Sequence, residues 1–322
     1  MDYPQKSPRF IGTVGVYSPS GSFSDKPEKM LLFEKGVARL KALGFEVRES
    51  THCRASWYHA SASPADRAAD LNELLMDPNV DIILPSIGGH VASQLLPLID
   101  YKKVATSGKK LFGFSDNAII PVVTTSTTGS LTYHTLCDVT FGFGRFTDVN
   151  YTLTEASFLR CVRDRMFDLA GDRTWRIVQD GDTQGVILGG NLKGLTSLSG
   201  TSWWPDWRGK IMFWESADPL HAVVQHLVHL SNAGAFDQLA GMIIGKVSTL
   251  KETFYQSSEI IPIETLLFDV LGLHDRFPIV IEANIGHDVE NITIPLGARA
   301  KLQARDIITC TVEMSGAKGG NL

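Results

Sequence analysis

The stretch K-K-L-F-G-F-S-D-N-A, residues 109–118, constrains the fold more than any other part of this chain. Its apolar run reads as a buried strand, the Gly-x-Ser that ends it as a sharp turn, and the residues beyond as a helix. A strand that turns tightly into a helix is half of a βαβ unit. Repeated units of this kind build a parallel sheet with ligands at the carboxyl ends of its strands. The same turn lets a serine hydroxyl stand clear of the sheet, so Ser115 is a candidate nucleophile, with the amide of Asp116 aimed at a developing oxyanion. The string departs from G-x-S-x-G, because Asn117 stands where the second Gly belongs. Taken alone, Ser115 also reads as the N-cap of the following helix, a position that favours Ser and Asp.

The first half of the chain repeats this alternation. Residues 11–18 read as a buried strand, 27–43 as an amphipathic helix stopped at Gly44, and F-E-V-R as a second strand; 80–84 and 111–114 continue the series. After an expected helix at 153–170, the polar, Gly-containing residues 171–185 suggest an interdomain connection. Beyond it, short strands at 185–188, 210–214, 242–244, 278–281 and 307–312 are interspersed with helices at 219–231 and 260–270. The predicted architecture is α/β: a Rossmann-like parallel-sheet domain over 1–168 that carries the nucleophile, and a second, smaller α/β domain over 169–322, with the active site in the cleft. The tail S-G-A-K-G-G-N-L reads as loose.

Several blocks outside the elbow carry a family signature. Residues 66–90 give a helix, a Pro-marked turn, a strand and the Gly88-Gly89 loop, followed by L-L-P-L-I-D-Y. Downstream come G-G-N-L, G-T-S-W-W-P-D-W-R-G-K-I-M-F-W-E, G-A-F-D-Q-L-A-G-M-I-I-G-K and I-G-H-D-V-E-N-I-T-I-P-L-G-A-R-A-K-L. In that order and spacing, over nearly the whole chain, they resemble the LD-carboxypeptidase family of serine peptidases, which includes murein tetrapeptide carboxypeptidases and microcin C self-immunity peptidases. The resemblance implies Ser115 as nucleophile, Glu215 at the end of F-W-E as the acid that orients the base, and His287 in I-G-H-D as the general base. It implies an oxyanion hole from the Gly88-Gly89 loop and the amide of Asp116, no metal or organic cofactor, and a homodimer. His90 and Ala118 depart from the family pattern, beside the triad rather than in it. The F-W-E, W-W-P-D and Y-T-L features and the long connection over 141–181 look more like the microcin-immunity branch. The implied substrate is then a small peptide or a peptidyl- or aminoacyl-nucleotide antibiotic, and the implied role detoxification; murein tetrapeptide in peptidoglycan recycling is the alternative.

Composition bounds the partners. With 322 residues, 43% of them hydrophobic, the chain can bury a substantial core. A formal charge of −5, from 30 basic and 35 acidic residues without a long basic run, gives no footprint for a nucleic-acid polymer or a membrane surface. The first residues lack the apolar segment of a secretory signal and no apolar run is long enough to span a bilayer, which points to the cytoplasm. Cys53, Cys137, Cys161 and Cys310 show no C-x-x-C spacing and read as buried thiols rather than disulfides.

Competing readings remain open at this level. Asp218, Glu282 and Asp288 are alternative acids for the base. His221, His226 and His229 share a helix, yet no H-E-x-x-H pattern makes them zinc ligands. The loop V-Y-S-P-S-G-S-F-S lacks both phosphate-binding glycine fingerprints and reads as a turn bordering the site. Trp203, Trp204 and Trp207 read as core, or as a stacking surface for a nucleoside. A non-catalytic nucleotide- or metabolite-binding protein on the same fold is the alternative of another class. A Rossmann oxidoreductase is disfavoured by the missing glycine fingerprint.

Overall fold

A computed structural model of the chain describes residues 10–135, 138–143, 152–163, 166–171, 174–247, 262–287 and 289–314. These fall into two compact units, one of residues 10–120 with 138–143, the other of 121–135 with the described residues from 152 to 314.

The first unit alternates β1 (Gly12–Tyr17), α1 (Pro27–Ala42), β2 (Phe45–Glu49), α2 (Pro64–Met76), β3 (Ile82–Pro85), α3 (Tyr101–Ser107) and β4 (Lys110–Gly113). The four strands are parallel in the order β4-β3-β1-β2. Parallel neighbours need crossovers, and the helices supply them. Helix α1 begins with Pro27 in its first turn and ends before Gly44, whose φ of +100° suits a residue without a Cβ. Its buried Phe33, Gly36, Val37 and Leu40 lie three and four residues apart, on one face. Ser63 caps α2 by accepting from the Asp66 amide, with Pro64 next in line. All six residues of β1 are buried. A strand covered on both faces needs this near-continuous apolar run.

The second unit opens with α4 (Ile119–Thr128), which begins at the seam in the chain, and β5 (Thr132–His134). It continues with α5 (Thr152–Arg163), β6 (Met166–Asp168), β7 (Arg176–Gln179), β8 (Gly181–Asn191), α6 (Leu192–Ser197), β9 (Lys210–Glu215), α7 (Leu220–Asn232), β10 (Gly241–Gly245), β11 (Ile279–Ala283), β12 (Ile294–Leu296), β13 (Arg299–Ala304) and β14 (Ile308–Glu313). A mixed eight-stranded sheet runs β6-β14-β13-β8-β9-β10-β11-β7, and β12 pairs antiparallel with β5. At its centre β8, β9, β10 and β11 are parallel, with Asn191 level with Glu215 where β8 and β9 end.

The structure corrects five expectations. The second unit is the larger one, because it takes in α4, β5 and the eight-stranded sheet. The helix expected over 153–170 stops at Arg163, and Met166–Asp168 is instead a strand that pairs with β14. The expected connection at 171–185 contains β7 and the first half of β8, whose Gly185 has so little room that a Cβ there would come within 2.5 Å of the Gly209 carbonyl. The helix at 260–270 is a short turn, Ile263–Thr265, continued by a wider turn over Leu266–Val270. The division of the chain also differs from a single cut after residue 168, since residues 121–135 pack with the C-terminal part through the β5/β12 pairing. Cys53, Cys161 and Cys310 are buried thiols; Cys137 and the C-terminal tail lie outside the described residues.

Candidate active site

The first group of site residues lies at the carboxyl ends of β1, β3 and β4. Strand β4 delivers Phe114 in extended conformation, and Ser115 then adopts φ +55°, a left-handed conformation that L-residues with a Cβ seldom take. Such a residue costs about 1–2 kcal/mol and persists only where its surroundings hold it. A short 3-10 turn, Ser115–Ala118, leads into α4. Behind it, the buried Asn117 amide donates to the Ile87 carbonyl (3.0 Å), which ties the elbow to the loop after β3.

That loop carries Gly88 and Gly89. A Cβ on Gly88 would lie 3.0 Å from Ser115 Oγ, so the bare backbone here rests directly against the hydroxyl. A Cβ on Gly89 would come within 2.3 Å of Ser20 Oγ and 2.6 Å of the Gly21 amide. Both glycines are therefore required by close approach. Asp116 points back into the same junction: its Oδ2 accepts from Ser20 Oγ (2.5 Å) and from the Ala92 amide (2.8 Å). The serine-rich loop after β1 thus serves as a brace. Its Ser18 and Ser22 hydroxyls bond the carbonyls of Cys53 and Ala55.

The second group lies in the other unit, where β9 ends at Glu215. This carboxylate is fully buried, and both oxygens are occupied: Oε1 accepts from Asn191 Nδ2 (2.9 Å) and Oε2 lies 2.8 Å from His287 Nδ1. Burial pushes the Glu215 pKa up, but the charge and hydrogen bond of His287, the field of His134 and the Asn191 amide outweigh it, leaving the pKa below the ordinary carboxylate value. An ionised carboxylate only accepts. Nδ1 of His287 therefore donates to the carboxylate, on a partly exposed ring. When neutral, an imidazole held by Nδ1 in this way has its lone pair on Nε2 and can take a proton from a hydroxyl. Asn191 is itself fixed, because its Oδ1 caps α6 by accepting from the Gly194 amide.

His134 of β5 completes the surroundings of the dyad. It is fully buried, stands edge-on to Phe213 at 5.1 Å, and has its pKa pushed down to about 4 by burial, against the field of Glu215. It is neutral at physiological pH.

The structure thus brings Glu215 to His287, and Gly88 and Asp116 to the Ser115 elbow. The alternative acids stand elsewhere: Asp218 accepts from Ser216 and lies 3.8 Å from His226, Glu282 is exposed, and Asp288 lies outside the described residues. His229 bonds Ser199, and among the described residues no cluster of three His, Cys, Asp or Glu could hold a metal ion. Trp207 is buried and stands edge-on to the half-buried Trp204 at 6.0 Å. Sequence reasoning missed Asn191 and His134 as site residues. Asn191 was visible in G-G-N-L, but only the parallel register of β8 with β9 brings it beside Glu215.

Residues 14–135 match the LD-carboxypeptidase N-terminal domain and residues 184–302 the LD-carboxypeptidase C-terminal domain. A "Probable murein peptide carboxypeptidase" of Bacillus subtilis is 25% identical, over 99% of this chain and 97% of its own. The Microcin C7 self-immunity protein MccF of Escherichia coli is 24% identical, over 91% of each. A solved structure of a mutant of that immunity protein, in complex with adenosine monophosphate, superposes with a TM-score of 0.83 at 21% identity, covering 96% of this chain and 98% of the other. That last likeness concerns the fold.

Proposed function

Because the chain belongs to the LD-carboxypeptidase family and is a serine carboxypeptidase, we propose that Ser115, His287 and Glu215 form its catalytic triad and that it hydrolyses an amide bond in a peptidyl- or aminoacyl-nucleotide. Ser115 Oγ attacks the carbonyl carbon while its proton passes to His287 Nε2. The amides of Asp116 and of the Gly88-Gly89 loop receive the oxyanion. The imidazolium then protonates the leaving amine as the C–N bond breaks. Water, deprotonated by the same imidazole, releases the acyl group as a carboxylate. Glu215 keeps the tautomer and offsets the imidazolium charge throughout.

The observation that carries the reading is the pairing of two features: a strained Ser115 elbow in contact with a glycine loop, and an imidazole whose Nδ1 is held by a buried, ionised Glu215. For the substrate, support comes from the immunity relative, whose own structure holds adenosine monophosphate. The name of the Bacillus subtilis relative supports murein tetrapeptide as the second reading. The buried thiols of Cys53, Cys161 and Cys310 suit a reducing cytoplasm, and the homodimer rests on the family resemblance.

Incubation with an aspartyl-adenylate phosphoramidate and, separately, with murein tetrapeptide, followed by mass spectrometry, tests the substrate. Release of aspartate from the nucleotide, lost in Ser115→Ala, is the expected result. Loss of the terminal residue from the tetrapeptide alone would reassign the enzyme to murein turnover.

A further inference from the structure

The interior of the first unit contains a cation that the reaction as described leaves unused. Arg67, on α2, has no exposed surface. Its guanidinium donates to the carbonyls of Ala62 (2.9 Å), Pro19 (2.6 Å) and Val91 (3.3 Å) and to the side-chain oxygen of Gln94. A buried arginine ordinarily meets a carboxylate. These four acceptors are neutral, and the countercharge felt at Arg67 is Asp116, acting through space.

What those acceptors belong to gives the arrangement its meaning. Pro19 is in the loop after β1, and Val91 and Gln94 follow the Gly88-Gly89 loop after β3. Asp116 grips the same two loops from the opposite side, through Ser20 Oγ and the Ala92 amide, while Ser20 Oγ also accepts from the Val91 amide (3.1 Å). The Gly21 amide closes the junction by donating to the Gly88 carbonyl (3.0 Å). Both ends of the bracket thus hold the loops that set the position of Gly88 against Ser115 Oγ, one end by a cation and the other by an anion adjacent to the serine.

We propose that Arg67 is a positioning residue of the Ser115 site: its buried guanidinium clamps the loop after β1 to the Gly88-Gly89 loop and so holds the oxyanion donors in line with the elbow. The inference rests on the reading of Ser115 as nucleophile. A guanidinium is suited to the task because its planar fork satisfies several carbonyls at fixed angles, which an ammonium on a flexible stem does not. Misalignment by a fraction of an ångström acts on the transition state, where charge develops on the oxygen, more than on ground-state binding.

The test uses a fluorophosphonate probe on the full chain, since it reports attack by the serine without a known substrate. In wild type, the Ser115 Oγ–P bond forms as fluoride leaves, and the maximal labelling rate and the half-saturating probe concentration are measured separately. For folded Arg67→Lys, the maximal rate is expected to fall about tenfold or more, with half-saturation changing less than about threefold. Ser20→Ala, which removes the bridge between Asp116 and Val91 while leaving Arg67 in place, is expected to show the same split, and it decides the matter if Arg67→Lys does not fold. Wild-type maximal rates in the folded variants, or an effect confined to half-saturation, overturn the inference. Ser115→Ala is run alongside: labelling that persists there overturns the underlying reading, whereas its loss combined with unchanged rates in the other variants overturns the role of Arg67 alone.

Discussion

Replacing Glu215 by Gln isolates what the buried carboxylate does, because the two side chains have the same shape. Glu215 accepts at both oxygens, from Asn191 Nδ2 at 2.9 Å and from His287 Nδ1 at 2.8 Å. Gln has one oxygen and one NH2 group. If its oxygen faces His287, its NH2 opposes the NH2 of Asn191. If it is flipped, its NH2 faces Nδ1 and drives the imidazole proton to Nε2, the wrong tautomer for a base. The first orientation leaves one opposed pair in a fully buried site, at a cost of about 1–3 kcal/mol in stability. The flipped state satisfies both contacts only by moving the imidazole proton to Nε2, and so removes the base. The loss of charge and tautomer lowers kcat on the order of a hundredfold to ten-thousandfold, as orienter substitutions do in Ser-His-Asp enzymes. The same reasoning predicts rescue. With Asn191→Asp added, an acceptor meets the Gln NH2, the Gln oxygen is returned to His287, and kcat should recover about tenfold or more over the single variant. The assay is single-turnover hydrolysis, or labelling rate, alongside urea unfolding. Near-full kcat in Glu215→Gln, or a double variant no faster than the single one, would refute the argument.

Three other outcomes are expected. Gly88→Ala places a methyl 3.0 Å from Ser115 Oγ, so fluorophosphonate labelling should fall at least about tenfold while the melting temperature changes little. Gly245→Ala would put a Cβ 2.2 Å from the Ile285 carbonyl and 3.1 Å from Glu215 Cβ; it should cost about 1–3 kcal/mol by overpacking and lower kcat as well, read by urea unfolding and turnover. His134 titrates near pH 4 when folded against about 6.5 when unfolded, so the unfolded chain binds the proton first and stability declines as pH falls from about 7 toward 4. Between pH 7.5 and 5 this amounts to about 2 kcal/mol, and the decline should be shallower by that amount in His134→Gln; identical slopes would contradict it.

Much of this molecule was legible in its sequence where the signal is local. The buried runs of β1, β3 and β4, the Pro27 and Gly44 that bracket α1, and the Gly-x-Ser turn all depend on neighbours within a few residues, and the strand-helix alternation follows from them. The second half was harder to read for a physical reason. Strands β7, β13 and the amino-terminal half of β8 are partly exposed and polar, so their alternation carries little hydrophobic contrast, and pairing with distant strands makes them strands. The break between α5 and β6 likewise reflects β14, which takes Met166–Asp168 into the sheet. Of the residues proposed for the site, Ser115, Glu215 and His287 could be named from the family blocks, whereas Asn191, His134 and Arg67 could not. Their roles arise from register and burial across long sequence separations. Arg67 in particular reads as an ordinary helix-surface cation within D-R-A-A-D, and only its complete burial beneath the glycine loop shows otherwise.

The central claim is that Ser115 is the nucleophile and that His287 activates it. The most direct measurement is tandem mass spectrometry of the fluorophosphonate-treated protein, with the adduct located to a single side chain. The account predicts one adduct, on Ser115, whose formation slows by orders of magnitude in folded His287→Ala. An adduct on another residue, or labelling of Ser115 at the wild-type rate without His287, would contradict it.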